Sequence, residues 1–202
     1  MSLLNDLTLQ AIFSRIFGTL IFVAISGGVL TLCAQLMRRP DAEYEFSFSA
    51  NPLTHLSMPA LAMAILFRTT WMRYRDLDPK TLRPGSWGLV VMVIATALAG
   101  LAIVPLLDLL RPLAADGLPR TLGYAALQLI QATQQIALAS VPLNLLPLPG
   151  LTGGLLLLAA WPERRRQFNR AVPAVYAVLI IVLVLGWWPD FGAILAPWLM
   201  RS

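Results

Sequence analysis

Apolar residues run along this chain in long blocks, separated by short polar or basic stretches. A helix needs about 20 apolar residues to cross the bilayer core. The first block covers 11–36 and is broken only by Arg15 near its start. It is too long for a cleaved signal peptide and lacks the small-residue cleavage site, so it reads as a span. A polar stretch, 37–50, follows. The next block, 52–67, is short, and either crosses obliquely or enters and returns. A clear span covers 87–110. Another starts near 122, carries polar residues to Asn144, is interrupted at 144–150 and resumes to Trp161. The last strong span is 171–188, and a short apolar tail with Pro197 reads as interfacial. The pattern predicts one membrane domain over 1–202: an all-α polytopic protein with about four to six transmembrane segments, one of them a broken helix.

One segment has a different period. Glu43-Tyr44-Glu45-Phe46-Ser47-Phe48-Ser49 alternates polar and apolar residues, which is strand periodicity. It reads either as an amphipathic interfacial loop or as a short surface β-strand whose edge is open to a partner. Glu43, Tyr44, Phe46 and Phe48 are the candidate contacts.

Composition narrows the class. Of 202 residues, 58% are hydrophobic and 12% charged, and mean hydropathy is +0.73. Soluble domains carry about 25% charged residues, so a soluble globule is excluded. The net charge of +5 does not imply nucleic acid, because the basic residues lie between apolar blocks. Their clusters in 68–86 and 163–170 place both loops in the cytoplasm by the positive-inside rule. Two crossings must separate these loops, and 87–110 and 122–161 supply them. The interruption at 144–150 is therefore a break within one crossing. The N-terminus lies inside if 52–67 spans and outside if it re-enters; the C-terminus lies outside. Fourteen of the fifteen basic residues are Arg, a bias that points to a GC-rich bacterial genome and so to a bacterial cytoplasmic (inner) membrane.

The break carries the most information. Pro147 and Pro149 remove backbone donors and clash with the preceding turn, and polar backbone freed at membrane depth must be satisfied by protein or water. The stretch Asn144-Leu-Leu-Pro147-Leu-Pro149-Gly-Leu151-Thr152-Gly153 resembles the Asn-x-x-Pro-x-Pro-x-Leu-Asp-Gly signature of the site-2 proteases, the zinc intramembrane metalloproteases. Thr152 stands where that family has its zinc-ligand Asp. Asn51-Pro52-Leu53-Thr54-His55 resembles the family's Asn-Pro-x-x-His segment. Ala97-Leu98-Ala99-Gly100 resembles its Ala-Gly-Pro-x-x-Asn helix, with Leu101 and Val104 in place of the Pro and Asn, and Asp78-Pro79 with Leu82-Arg83 fits the basic loop before it. The resemblance covers roughly residues 20–160.

The catalytic apparatus of that family is missing. An active member carries His-Glu-x-x-His, whose two His bind zinc while the Glu activates water. The corresponding stretch is Ser26-Gly27-Gly28-Val29-Leu30: Ser26 and Leu30 replace the two His and Gly27 the Glu. No His or Glu occurs anywhere in 11–36. A catalytic zinc takes three protein ligands from His, Cys or carboxylate. The chain has one Cys, Cys33, and one His, His55, neither at a matching position. His55 reads as a cap or interfacial hydrogen-bonding residue. The Ser26-Gly27-Gly28 turn lacks a partner base for serine chemistry. Asp108, three residues from Arg111, reads as half of a helix-end ion pair.

Gln128, Gln131 and Gln135 share one face of the fourth span, with Gln134 beside them. They read as hydrogen-bonding to the broken backbone near Pro147, or as a seam that docks a partner helix. The sequence supports a catalytically inactive, site-2-protease-like subunit or assembly factor with no cofactor. It would bind other integral membrane proteins within a larger membrane complex, through 43–49, the glutamine face and the cleft around 144–152. Two alternatives are an intramembrane protease with chemistry moved to Ser26, Thr152 or His55, and a small transporter or lipid-binding protein with a watery cavity lined by Gln131, Gln135 and Asn144.

Overall fold

The structure is a computed structural model and describes residues 8–40, 51–74, 77 and 79–199. Thr8 opens the first helix by accepting the Ala11 N–H on its hydroxyl at 3.2 Å. Helix α1 then runs over Leu9–Leu36. Its buried face is mostly small, with Gly18, Thr19, Ser26, Gly27, Gly28 and Ala34. Small residues let membrane helices approach closely where no hydrophobic force between helices exists. Against that face pack α4 (Ser86–Asp108) and α6 (Arg120–Leu145). Phe22, Leu30, Leu89, Met92, Ile103, Ile136 and Leu138 fill the space among the three. A short α5 (Arg111–Asp116) joins α4 to α6, and the predicted Arg111–Asp108 ion pair forms at 3.1 Å.

The block at 52–67 turns back on itself. It forms α2 (Pro52–His55), capped by the Asn51 side chain, and α3 (Met58–Phe67), capped by Ser57. Ten residues of helix rise about 15 Å, half the hydrocarbon thickness of about 30 Å. Arg68 ends α3 in the left-handed conformation, φ 57°. The chain then returns without helical structure, and the Arg73 N–H bonds the His55 carbonyl at 2.8 Å. Residues 69–72, expected in a cytoplasmic loop, are buried, with Thr70 and Trp71 fully so. The loop proper meets the C-terminal end of α1: the Arg83 N–H bonds Met37 O at 2.7 Å and the Arg39 N–H bonds Thr81 O at 3.0 Å. The Thr8 end of α1 therefore lies on the opposite face from this loop.

The fourth predicted span is broken as expected. After α6 the chain makes a tight excursion, and the Gly153 N–H returns to the Asn144 carbonyl at 2.6 Å before α7 (Gly154–Ala160) begins. A Cβ on Gly153 would collide with the carbonyl oxygens of Leu145 and Leu146, so only glycine closes this loop. Helix α8 (Arg165–Val184) follows, and then a short α9 (Phe191–Leu199).

Three helical stretches are long and apolar enough to cross a membrane: Leu9–Leu36, Ser86–Asp108 and Pro162–Val184. That is fewer than the four to six segments expected. Two causes account for the difference. The 52–67 block turns back, and α6, though 26 residues long, carries four glutamines that hold its hydropathy below that of the other three. Among the described residues there is no strand, only an isolated bridge between Arg38 and Leu82. The 43–49 segment, with Glu43, Tyr44, Phe46 and Phe48, lies outside the described residues.

Candidate functional site

The C-terminal end of α6 grips the returning segment through two polar side chains one turn apart. Asn144 Oδ1 accepts the Met72 N–H at 2.8 Å. Its Nδ2 donates to Thr70 O at 3.0 Å and to Ser140 O at 2.8 Å. The Ser140 hydroxyl accepts the Thr70 N–H at 2.9 Å. Thr70 O and Met72 N are the pair that a neighbouring β-strand would engage. The carboxamide takes the place of that strand and satisfies backbone that hydrocarbon could not. Sequence reasoning assigned Asn144 to the motif and missed its partner. The signal available was Thr69-Thr70-Trp71-Met72, a β-branched and aromatic run inside a segment otherwise read as basic.

Beside this clamp lie Ser26 and Thr152, the positions that the sequence resemblance would set against zinc ligands. Ser26 on α1 and Thr152 after the break both line one cavity of about 10 Å³, with Phe22, Met72, Val93 and Asn144 among its walls. That is about the space of a single water. Both hydroxyls are buried and neither has a hydrogen-bond partner. Gly100, on the α4 stretch with the Ala-Gly resemblance, packs on the same region: a Cβ there would sit 2.7 Å from Val141 and 3.5 Å from the Ser26 hydroxyl. Leu30 is buried one turn further along α1, in the apolar core.

Gly27, which the sequence resemblance would set against a Glu, faces His55. A Cβ on Gly27 would lie 2.6 Å from Cδ2 of the imidazole. The ring therefore occupies the volume that a side chain at 27 would need. This corrects the reading of His55 as a cap or interfacial residue. Asn51 caps α2, with Pro52 in its first turn. His55 is buried, its Nδ1 3.4 Å from Arg73 O. It does not line the Ser26–Thr152 cavity. Pro147 and Pro149 sit in the excursion between α6 and α7, and Gly150 there accepts the Tyr176 hydroxyl on its carbonyl at 3.0 Å, tying the break to α8. Among the described residues, no three His, Cys, Asp or Glu side chains converge.

The glutamines divide between two tasks. Gln134 is buried, donates to Val104 O at 2.9 Å and accepts from Arg111 at 2.7 Å, which ties α6 to α4. Gln128, Gln131 and Gln135 line a separate polar cleft of about 220 Å³ with Ser14, Arg15 and Arg68. They do not bond the broken backbone near Pro147. Nor do Gln131 and Gln135 share a cavity with Asn144, as a watery transport path would require. Comparison of the chain with family models, with curated proteins and with solved structures found no match.

Proposed function

We propose that this is a membrane protein with the fold plan of a site-2 protease and without its chemistry, acting as a structural or assembly subunit that binds transmembrane partners in a larger membrane complex. The observation that carries the reading is the convergence at one cavity of Ser26 and Thr152, 126 residues apart in the numbering. The resemblance aligns these two with zinc-ligand positions on different helices, and neither supplies a ligand that zinc favours. The volume around them is walled by Phe22, Met72, Val93 and Val141. A fold stripped of its site is left with its surfaces. Helix α8 offers the barest one: 11% of its apolar window is buried, against 44% in α1 and 39% in α4. Val178, Ile181 and Val184 on it are more than half exposed. Loops 79–86 and 163–170 face the cytoplasm of a bacterial cell in this reading, and the start of α1 faces outward.

The test is purification of the chain, tagged at its own locus, in a mild detergent, with co-purifying proteins identified and zinc quantified. A stoichiometric membrane partner without zinc is the expected outcome. A solitary protein holding one zinc per chain overturns the reading. One observation favours relocated chemistry as a second reading, namely two partnerless hydroxyls on a shared cavity. No base lines that cavity, and a nucleophilic hydroxyl needs one. Proteolytic activity abolished by Ser26→Ala or Thr152→Val would establish this second reading over the first.

A further inference from the structure

Thr19, Thr96 and Thr133 show what a hydroxyl ordinarily does inside these helices. Each donates to the carbonyl four residues earlier, at 2.7, 2.8 and 2.7 Å. That bond needs nothing from another element. Ser26 lies on the same helix as Thr19, is 1% exposed, and does not make it. Thr152, just before α7, is 3% exposed and also has no partner. A buried hydroxyl left unbonded is costly. Two of them at one cavity call for a shared partner.

The balance of donors and acceptors identifies it. Among the described residues, Ser26, Thr96, Asn144 and Thr152 are the polar ones lining the cavity. The Thr96 proton is spent on Met92 O. Both Asn144 N–H donors are spent on Thr70 O and Ser140 O. Asn144 Oδ1 accepts from the Met72 N–H and keeps a second lone pair. Thr96 and Asn144 therefore offer acceptors and no donor, while Ser26 and Thr152 each hold a proton to give. A direct bond between the two hydroxyls would satisfy one proton and leave the other. A molecule with two lone pairs and two protons completes the set, accepting from Ser26 and Thr152 and donating to Asn144 and Thr96. Water has that valence, and a buried water makes about three such bonds. The space of about 10 Å³ admits one. Phe22, Met72 and Val93 make the remaining wall apolar.

We infer that this cavity holds one structural water, bonded to the Ser26 and Thr152 hydroxyls and donating to Asn144 and Thr96. Helices α1, α4 and α6 and the break before α7 then meet at a single molecule. The site stands whether or not the chain belongs to a complex, so its loss would leave the proposed role untouched. Crystals of the full-length protein grown in lipid, diffracting well enough to show ordered water, test it. The expected result is one density peak about 2.6–3.0 Å from both Ser26 Oγ and Thr152 Oγ1. In a Ser26→Ala/Thr152→Val double variant the peak should be gone. That variant should still fold, because both polar groups leave together with the water. No peak in the parent, a direct bond between the two hydroxyls, or a peak that survives in the double variant overturns the inference. So does a peak whose contacts are shorter than hydrogen bonds, as those of a cation are.

Discussion

The two ends of α6 use polar residues in opposite ways. At the C-terminal end, Ser140 and Asn144 are buried and spend their capacity on the backbone at 70–72. The neighbouring cavity is closed to about 10 Å³. At the N-terminal end, Gln128, Gln131 and Gln135 border an open polar cleft of about 220 Å³. Polar groups inside a membrane protein are costly unless matched, and the buried cluster is matched within the fold while the glutamine face borders open space. The end that carries the Asn144–Gly153 break is the sealed one.

The largest effect expected from breaking this contrast is at the clamp. Asn144→Ala removes three buried hydrogen bonds and orphans the Met72 N–H. The loss should be about 3 kcal/mol or more, visible as a large drop in the unfolding midpoint in detergent. Asn144→Asp should be nearly as harmful, because it keeps the acceptor and loses both donated bonds. A protein that tolerates either substitution would show that the 70–72 segment is held some other way.

Gly27→Ala comes next, at about 1–3 kcal/mol, since the imidazole of His55 must move to admit a methyl group. A double-mutant cycle with His55→Ala sharpens the point: removing the ring should recover most of that loss. Additive costs would mean that the two residues do not press on one another.

Smaller effects, of opposite sign, are expected where a group is ill-suited to its place. Thr152→Val replaces a buried hydroxyl that has no partner within the protein, and should leave stability unchanged or raise it by about 1 kcal/mol. Arg68→Gly should raise it by about 0.5–1 kcal/mol through relief of the left-handed backbone. A clear loss at Thr152 would mean that the hydroxyl has work to do in the cavity. A clear loss at Arg68 would mean that its side chain contributes to the fold more than its backbone costs.

Much of this molecule was legible in its sequence. Apolar block length located α1, α4 and α8 to within a few residues, apart from the basic first turns of α8, because lipid leaves backbone few alternatives to helix. Pro147, Pro149 and the glycines after them marked the break for the same reason. The Asp108–Arg111 pair followed from spacing. Harder to read was the direction of 52–67, because ten residues of apolar helix look alike whether they continue or turn back. The deciding contacts are long-range: Arg73 to His55, and Asn144 to residues 70 and 72. The burial of His55 was also hidden, since it depends on the bare backbone of Gly27 on another helix. The cleft was half visible, as a glutamine face. Its arginines come from two distant segments, and only the fold brings them together.

The clamp also orders the protein's synthesis. The peptide groups of Thr70 and Met72 are satisfied by a side chain 72 to 74 positions later in the chain. When residues 69–72 leave the ribosome, the partner that makes them tolerable in lipid has not yet been translated. The returning segment cannot take its packed place until α6 has been made, so it folds late although its sequence is early. Until then the segment must wait in water or within the insertion machinery, and a chain truncated before Asn144 should leave it exposed to added protease.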